Sequence, residues 1–245
     1  MSEQSIQAVD RALQALRVLA EWGPMSASEV AAQIGVDQST ASRQLRSLMD
    51  AGFVCKPSFR SFAVDYGLLC FAGTAISSFP IVNRAASACE RVCENPGLGA
   101  AVCILHETDL IYLARRDPWK RNSSIQLINH SDCPLHRSSM GLVLAHERGK
   151  TFFTNSVSPD IEEDPDLDVS SETLFDRITT ELDTGGFFDW GEGTNFTFNI
   201  ARAFACEGET AAMAIFSKQN DRDARIIRML QRNVSRISDS KQETL

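Results

Sequence analysis

The chain has 245 residues, 43% of them apolar and 23% charged, with a net charge of −8 at pH 7. That length fits two domains better than one, and the composition supplies real cores. It contains no run of about eighteen apolar residues to cross a membrane, and no basic start followed by an apolar stretch to mark a secretion signal, so a cytoplasmic protein is expected.

The first predicted helix covers 5–21, with Ser5 as its cap and Ile6, Val9, Leu13 and Leu16 as its apolar stripe. Gly23 and Pro24 stop it. Ser26-Ala27-Ser28-Glu29 has the spacing of a capping box and opens a short second helix through Val30, Ala31 and Ile34, ending at Gly35. Asp37 then caps a third helix, whose buried stripe is Ala41, Leu45, Leu48 and Met49 and which Gly52 closes. Two short helices a tight connection apart, the second with an apolar back and an arginine-bearing front, are the sequence form of a helix-turn-helix. An ordinary helical pair would look the same. The strand-like runs Phe53-Val54-Cys55 and Phe62-Ala63-Val64 break that tie, because the hairpin they make around 56–61 is a wing.

From 66 to 76 helical spacing returns at Leu68, Leu69, Ala72 and Ile76, predicting a linker helix that Pro80 interrupts. Another helix carries Val82, Ala85, Cys89 and Val92. The period then changes: strands are predicted at 100–106 and 110–115 around Glu107-Thr108-Asp109, with a third candidate at 124–128. A helix follows at 138–146, and the acidic stretch 160–168 with Pro165 reads as a solvated loop. Leu174, Ile178 and Leu182 mark a helix ended by Gly185-Gly186. A second hairpin joins 196–206 to 210–217, and Ile227, Leu230, Val234 and Ile237 form the last helix. The fold class expected is α+β: an N-terminal winged helix-turn-helix, a linker helix, and a C-terminal antiparallel sheet covered by helices.

The acidic total argues against nucleic acid until its distribution is read. Up to Val64, Arg11, Arg17, Arg43, Arg46, Lys56 and Arg60 balance Glu3, Asp10, Glu21, Glu29, Asp37 and Asp50, so the excess lies beyond the head. The seven cysteines, odd in number and scattered, read as thiols. Cys133 and His136 are a lone couple, too few for zinc. No metal and no cofactor is expected.

Several segments in this order resemble the IclR family of transcription regulators. They are Val9-Asp10-Arg11-Ala12-Leu13, Glu29-Val30-Ala31, the run 39–48, Gly52-Phe53-Val54, and Pro134-Leu135-His136-Arg137-Ser138-Ser139-Met140-Gly141. The resemblance implies a homodimer, often paired again into a dimer of dimers in that family, that binds a double-stranded operator. It also implies a GAF-like α/β domain that senses a small organic effector. The domains are then 1–66 for the winged head, 67–79 for the linker helix and 80–240 for effector binding. Departures are the absence of a glycine and tyrosine at the wing tip, Leu142 in place of a basic residue, and Asp189-Trp190 and Met213-Ala214-Ile215-Phe216 where more polar groups are expected.

Taking about 100° per residue, Ser39, Thr40, Arg43 and Ser47 lie opposite the buried stripe of the third helix. Arg43 is expected to read a guanine edge, and Gln38, Ser39, Thr40 and Ser42 to touch bases or phosphates. Arg46, more to the side, and Lys56 and Arg60 on the wing would meet phosphate or the minor groove. For the effector, the helix start at Ser138, Ser139 and Met140 offers unpaired amides to an electron-rich group. The wall positions implied by the resemblance, Asp189, Trp190, Ile200, Ala214 and Phe216, predict a mostly apolar pocket for an aromatic or aliphatic body. Two other readings are weaker. His136 beside Ser138 and Ser139 lacks the nucleophile-elbow glycines of a hydrolase, so no enzyme is expected. Redox sensing through Cys89, Cys93 or Cys103 competes with plain burial of small apolar residues.

Overall fold

A computed structural model describes residues 6–119, 128–129, 134–191 and 193–238. The chain divides into two compact units, Met1–Phe79 and Pro80–Leu245. Among the described residues, no single helix is long and apolar enough to cross a membrane.

In the first unit, α1 (Gln7–Trp22), α2 (Ala27–Gln33) and α3 (Gln38–Asp50) surround a small core of Ala15, Leu19, Val30, Leu45, Leu48, Val54 and Phe62. The two caps form as the sequence dictates. The Ser26 side chain accepts from the Glu29 amide while the Ser26 amide donates to Glu29 Oε2 at 2.7 Å, and Asp37 accepts from the Thr40 amide at 2.9 Å. The stripe expected on α1 is wrong. Ile6, Val9 and Leu13 are more than half exposed, and the face that packs is Ala12, Ala15, Leu16 and Leu19. The helix has two apolar stripes that share Leu16, and periodicity alone does not say which one meets the core. Ile6 occupies the cap position without a side-chain bond, and Ser5 lies outside the described residues.

The wing strands are β1 (Val54–Cys55) and β2 (Ala63–Val64), paired antiparallel. Met25 adds a bridge to Phe62 through two backbone bonds of 2.9 and 2.7 Å, which fastens the base of the wing to the helical core. The linker helix forms as α4 (Gly67–Ser77), with Leu69 and Phe71 exposed and no residue buried.

The second unit is a six-stranded antiparallel sheet between two helical layers. Its strands are β3 (Gly99–His106), β4 (Asp109–Arg116), β5 (Ile128–Asn129), β6 (Phe188–Asp189), β7 (Phe198–Cys206) and β8 (Glu209–Ser217), in the order β5-β4-β3-β8-β7-β6. Both hairpins turn over two residues, since His106 pairs with Asp109 and Cys206 with Glu209. Of the third strand candidate only Ile128 falls among the described residues, and it pairs with Tyr112 of β4.

α5 (Pro80–Cys93) and α9 (Ala224–Ser238) cover one face of the sheet; α6 (Ser139–Glu147) covers the other, with α7 (Lys150–Glu163) and α8 (Ser171–Gly185) behind it. Strand alternation sorts the residues: Ala101, Cys103, Leu105, Ala212, Ala214 and Phe216 join the core on the α6 side. α7 has no counterpart in the sequence reading. Its buried residues Phe153, Val157 and Ile161 keep helical spacing, but Pro159 sits inside it, and a proline that gives up an amide is a normal reason to read a break. The acidic stretch is therefore not simply a solvated loop. Residues 160–163 end α7, and Asp164 is buried.

Candidate functional site

The head presents a polar surface built from α3 and the wing. Gln38, Ser39, Arg43, Arg46 and Ser47 are exposed, as are Lys56 and Arg60, while Thr40 and Ser42 are half-buried. Among the described residues none of the four cations Arg43, Arg46, Lys56 and Arg60 pairs with a carboxylate. A hollow of about 410 Å³ separates α3 from the wing, and Gln38, Ser42, Arg46, Lys56, Phe59 and Arg60 all line it. Gln38, Ser42 and Arg46 form its helix side, while Ser39, Arg43 and Ser47 form the helix crest.

Two hydroxyls behave differently from the sequence expectation. Ser39 Oγ donates to Asp37 Oδ1 at 2.5 Å and Thr40 Oγ1 to Asp37 Oδ2 at 2.7 Å. Those bonds, Ser39 first and Thr40 next, hold the Asp37 carboxyl well below the usual carboxylate range. A charged cap thus occupies the helix start, and the Ser39 and Thr40 hydroxyls, their hydrogens committed to it, keep acceptor capacity rather than a free donor. Arg43 Nη2 donates to Thr40 Oγ1 at 3.3 Å, which lays the guanidinium along the crest.

In the second unit, a hollow of about 290 Å³ opens at the start of α6. Ser138, Ser139, Met140, Ala214 and Phe216 line it. Asp189, Trp190 and Ile200 do not. Trp190 is buried, donating Nε1–H to the His136 carbonyl at 2.8 Å and stacking on Phe188. Its indole is covered by the backbone of Gly193, where any Cβ would collide with the ring. Asp189 accepts from the amides of Gly191 and Asn199, both at 3.1 Å, and borders a different hollow with Arg177, Phe187 and Arg222. Ile200 points away because its neighbour Asn199 points in, one residue apart on an alternating strand.

The expectation of a mostly apolar lining is also corrected. Tyr112, Arg115, Arg137, Thr194, Asn195, Phe196, Asn199 and Lys218 complete the wall. Rings and cations interleave: Phe196 lies 4.8 Å from Phe216, and Trp119 adjoins both. The Arg115 guanidinium sits 5.3 Å from the Phe216 centroid, and Lys218 Nζ 5.3 Å from Trp119 and 5.7 Å from Phe196. Gly99 pairs with Phe216 across β3 and β8, and a Cβ there would fall 2.2 Å from the ring, so the absence of a side chain is what seats Phe216.

The serines at the helix start are occupied. Ser138 Oγ accepts from the Gly141 amide at 3.2 Å, and Ser139 Oγ donates to Asn199 Oδ1 at 2.8 Å. The positive end of the α6 dipole thus lies at the edge of the hollow, with Ser138 acting as its cap. His136 is buried with Nε2 2.8 Å from Asp164 Oδ2, and Arg137 Nη2 donates to Asp164 Oδ1 at 2.6 Å and to Asp166 at 3.1 Å. Burial opposes the Asp164 charge, but the bonds from His136, the Asp166 amide and Arg137 outweigh it and keep the carboxyl below its ordinary value. The network anchors Arg137 beside the hollow. Cys133 lies outside the described residues. Burial lifts the Cys89 thiol far above its usual range and Cys93 up to about 11, so neither is a ready thiolate.

Head and hollow together define a class: a winged DNA-binding head joined to a separate α/β unit with an antiparallel sheet and a ligand-sized cleft. Residues 8–57 match the IclR helix-turn-helix domain. An IclR homologue from Microbacterium hydrocarbonoxydans, crystallised in complex with 4-hydroxybenzoate, is 19% identical over 94% of this chain and 97% of its own, with a TM-score of 0.76. An IclR-family regulator from Brucella abortus is likewise 19% identical, over 97% and 93%, with a TM-score of 0.76. The IclR of Thermotoga maritima is 14% identical over 96% and 98%, with a TM-score of 0.67. No curated protein matches the chain in sequence. Residues 8–57 are thus an IclR helix-turn-helix domain, a DNA-binding module, and the chain as a whole has the fold of these IclR structures.

Proposed function

We propose that the protein is a homodimeric repressor, working in the cytoplasm, whose hold on a pseudo-palindromic operator is released by a single-ring aromatic carboxylate. The observation that carries the effector class is the 290 Å³ hollow in which Tyr112, Phe196 and Phe216 alternate with Arg115, Arg137 and Lys218 at the positive end of α6. The volume suits one ring, the aromatic side chains suit its faces, and Lys218, with Arg115 and Arg137 held beside it by Asp117 and Asp164, suits a carboxylate. The 4-hydroxybenzoate in the Microbacterium homologue is in keeping with that chemistry. Ser138, Ser139 and Met140 would hold the carboxylate end, and Ala214 and Phe216 the ring.

For DNA, Arg43 reads a base from the crest of α3, Gln38, Ser39, Thr40, Ser42 and Ser47 trim the groove contact, and Arg46, Lys56 and Arg60 hold phosphates. The exposed apolar residues Ile6, Val9 and Leu13 on α1, with Leu69 and Phe71 on α4, support a dimer through the head unit. No catalytic role is assigned to Ser138 or Ser139, whose hydroxyls already serve Gly141 and Asn199.

Calorimetry on the full chain with benzoate, 4-hydroxybenzoate, pyruvate and acetate tests the effector class. Tighter binding of the aromatic acids, with loss of operator complex in the same concentration range, is the expected result. Preference for the two- and three-carbon acids, or for a neutral aliphatic compound, would overturn it.

A further inference from the structure

We propose that Phe59 is a wedge that enters the minor groove beside the α3 site and opens a base step there, giving the regulator a second, shape-based way of selecting DNA. The proposal rests on the DNA-binding reading of the head.

Phe59 is 92% exposed, more than any other large apolar side chain of the protein among the described residues. A ring left in water on a DNA-binding domain is a cost unless a partner covers it. The loop that carries it is braced. Ser58 and Ser61 join side chains at 2.6 Å, Phe62 is buried and held by Met25 through two backbone bonds, and Lys56 Nζ rests 4.7 Å from the centroid of the Phe62 ring. The wing therefore presents Phe59 from a fixed base, and little ordering cost remains for binding.

The surroundings identify the occupant. Phe59 shares its hollow with Arg46, Lys56 and Arg60, and no carboxylate is among the residues lining it. Apolar rings of a protein partner would find three cations there with no carboxylate partner among the described residues, whereas a duplex offers two phosphate rows with stacked bases between them. Cations flanking an aromatic tip are the arrangement by which minor-groove proteins grip the backbone and push an apolar side chain between base pairs. Pyrimidine–purine steps unstack with least cost, so selection for such a step is expected where the wing lands.

The test uses the full-length protein and a randomised duplex library, enriched in parallel by wild type, Phe59→Ala and Phe59→Leu. Wild type and Phe59→Leu are expected to enrich a TA or CA step flanking the α3 half-site, and Phe59→Ala to recover the half-site without that step. On the wild-type duplex Phe59→Ala should bind about tenfold more weakly, the order expected for losing burial of one large side chain, with an unchanged salt slope because no phosphate contact is removed. 2-Aminopurine placed in the step should brighten on adding wild type and stay quenched with Phe59→Ala. Equal enrichment, equal affinity and equal fluorescence for wild type and Phe59→Ala would overturn the wedge while leaving the DNA-binding reading intact. Failure of wild type to enrich any sequence would sink both.

Discussion

The polar surface of the head and the hollow of the second unit are built on opposite plans. The first comes from one helix and one hairpin within about twenty-five residues of sequence, and its side chains project from a frame fixed by local caps and a core of seven buried residues. The hollow draws on β3, β4, the start of α6, the loop after β6, the start of β7 and the end of β8, more than a hundred residues apart. A site made by one helix can be read by counting, whereas a site made by a sheet depends on register, and a one-residue offset replaces Ile200 with Asn199.

The largest expected effect breaks the two regions apart. Leu45→Ala removes a fully buried side chain from the small head core and should cost about 2–5 kcal/mol of head stability. Effector affinity measured by calorimetry should stay within error, because the hollow lies wholly in the other unit. Loss of both functions together would show that the units fold as one.

Next in size are the side chains of each site. Phe216→Ser should weaken an aromatic acid by roughly 1.5–3 kcal/mol and leave operator binding without ligand unchanged. Arg43→Ala should lose roughly 1–3 kcal/mol on the specific duplex and relax one base position, while Arg46→Ala should weaken all sequences alike and reduce the salt slope by about one. Identical losses on specific and random DNA for both variants would show that crest and flank are misassigned. Lys218→Met should take about 1 kcal/mol from carboxylate binding, and spare the corresponding neutral amide.

Capping residues, the helix-turn-helix, the wing and both sheet hairpins were legible because each is decided within a few residues. The α1 stripe was misread because two apolar stripes compete on one helix, and only the tertiary core chooses between them. α7 was hidden by Pro159 at a place where Phe153, Val157 and Ile161 supply enough burial to override the lost amide. For the hollow, Ala214 and Phe216 follow from the family resemblance, and they share one face of β8 as strand alternation requires. Arg115 and Lys218 stand at strand ends, where a charge in sequence means only solvent until the fold puts aromatic rings beside it.

The smallest effect is a pH dependence confined to the second unit. His146 has Nε2 2.8 Å from Thr179 Oγ1, and its Nδ1 is buried without a partner among the described residues. Burial lowers its pKa below 6.5, against a smaller opposing pull from Glu147 and Asp183. The unfolded chain therefore takes up the proton first, and the contribution of His146, complete above about pH 6.5, should fade as the pH drops toward the folded value. Melting temperatures at pH 7.5 and 5.5 should fall further for wild type than for His146→Gln. An equal fall would remove His146 as the cause.

Phe216 can lie flat against the sheet because Gly99 beneath it has nothing to offer but backbone. The position works as a gauge: one added methyl at residue 99 would fall 2.2 Å from the ring and force Phe216, a wall of the 290 Å³ hollow, to shift. Graded substitution at residue 99, a strand position behind the wall, is therefore a handle on the shape of the hollow that leaves the other lining side chains and the head as they are.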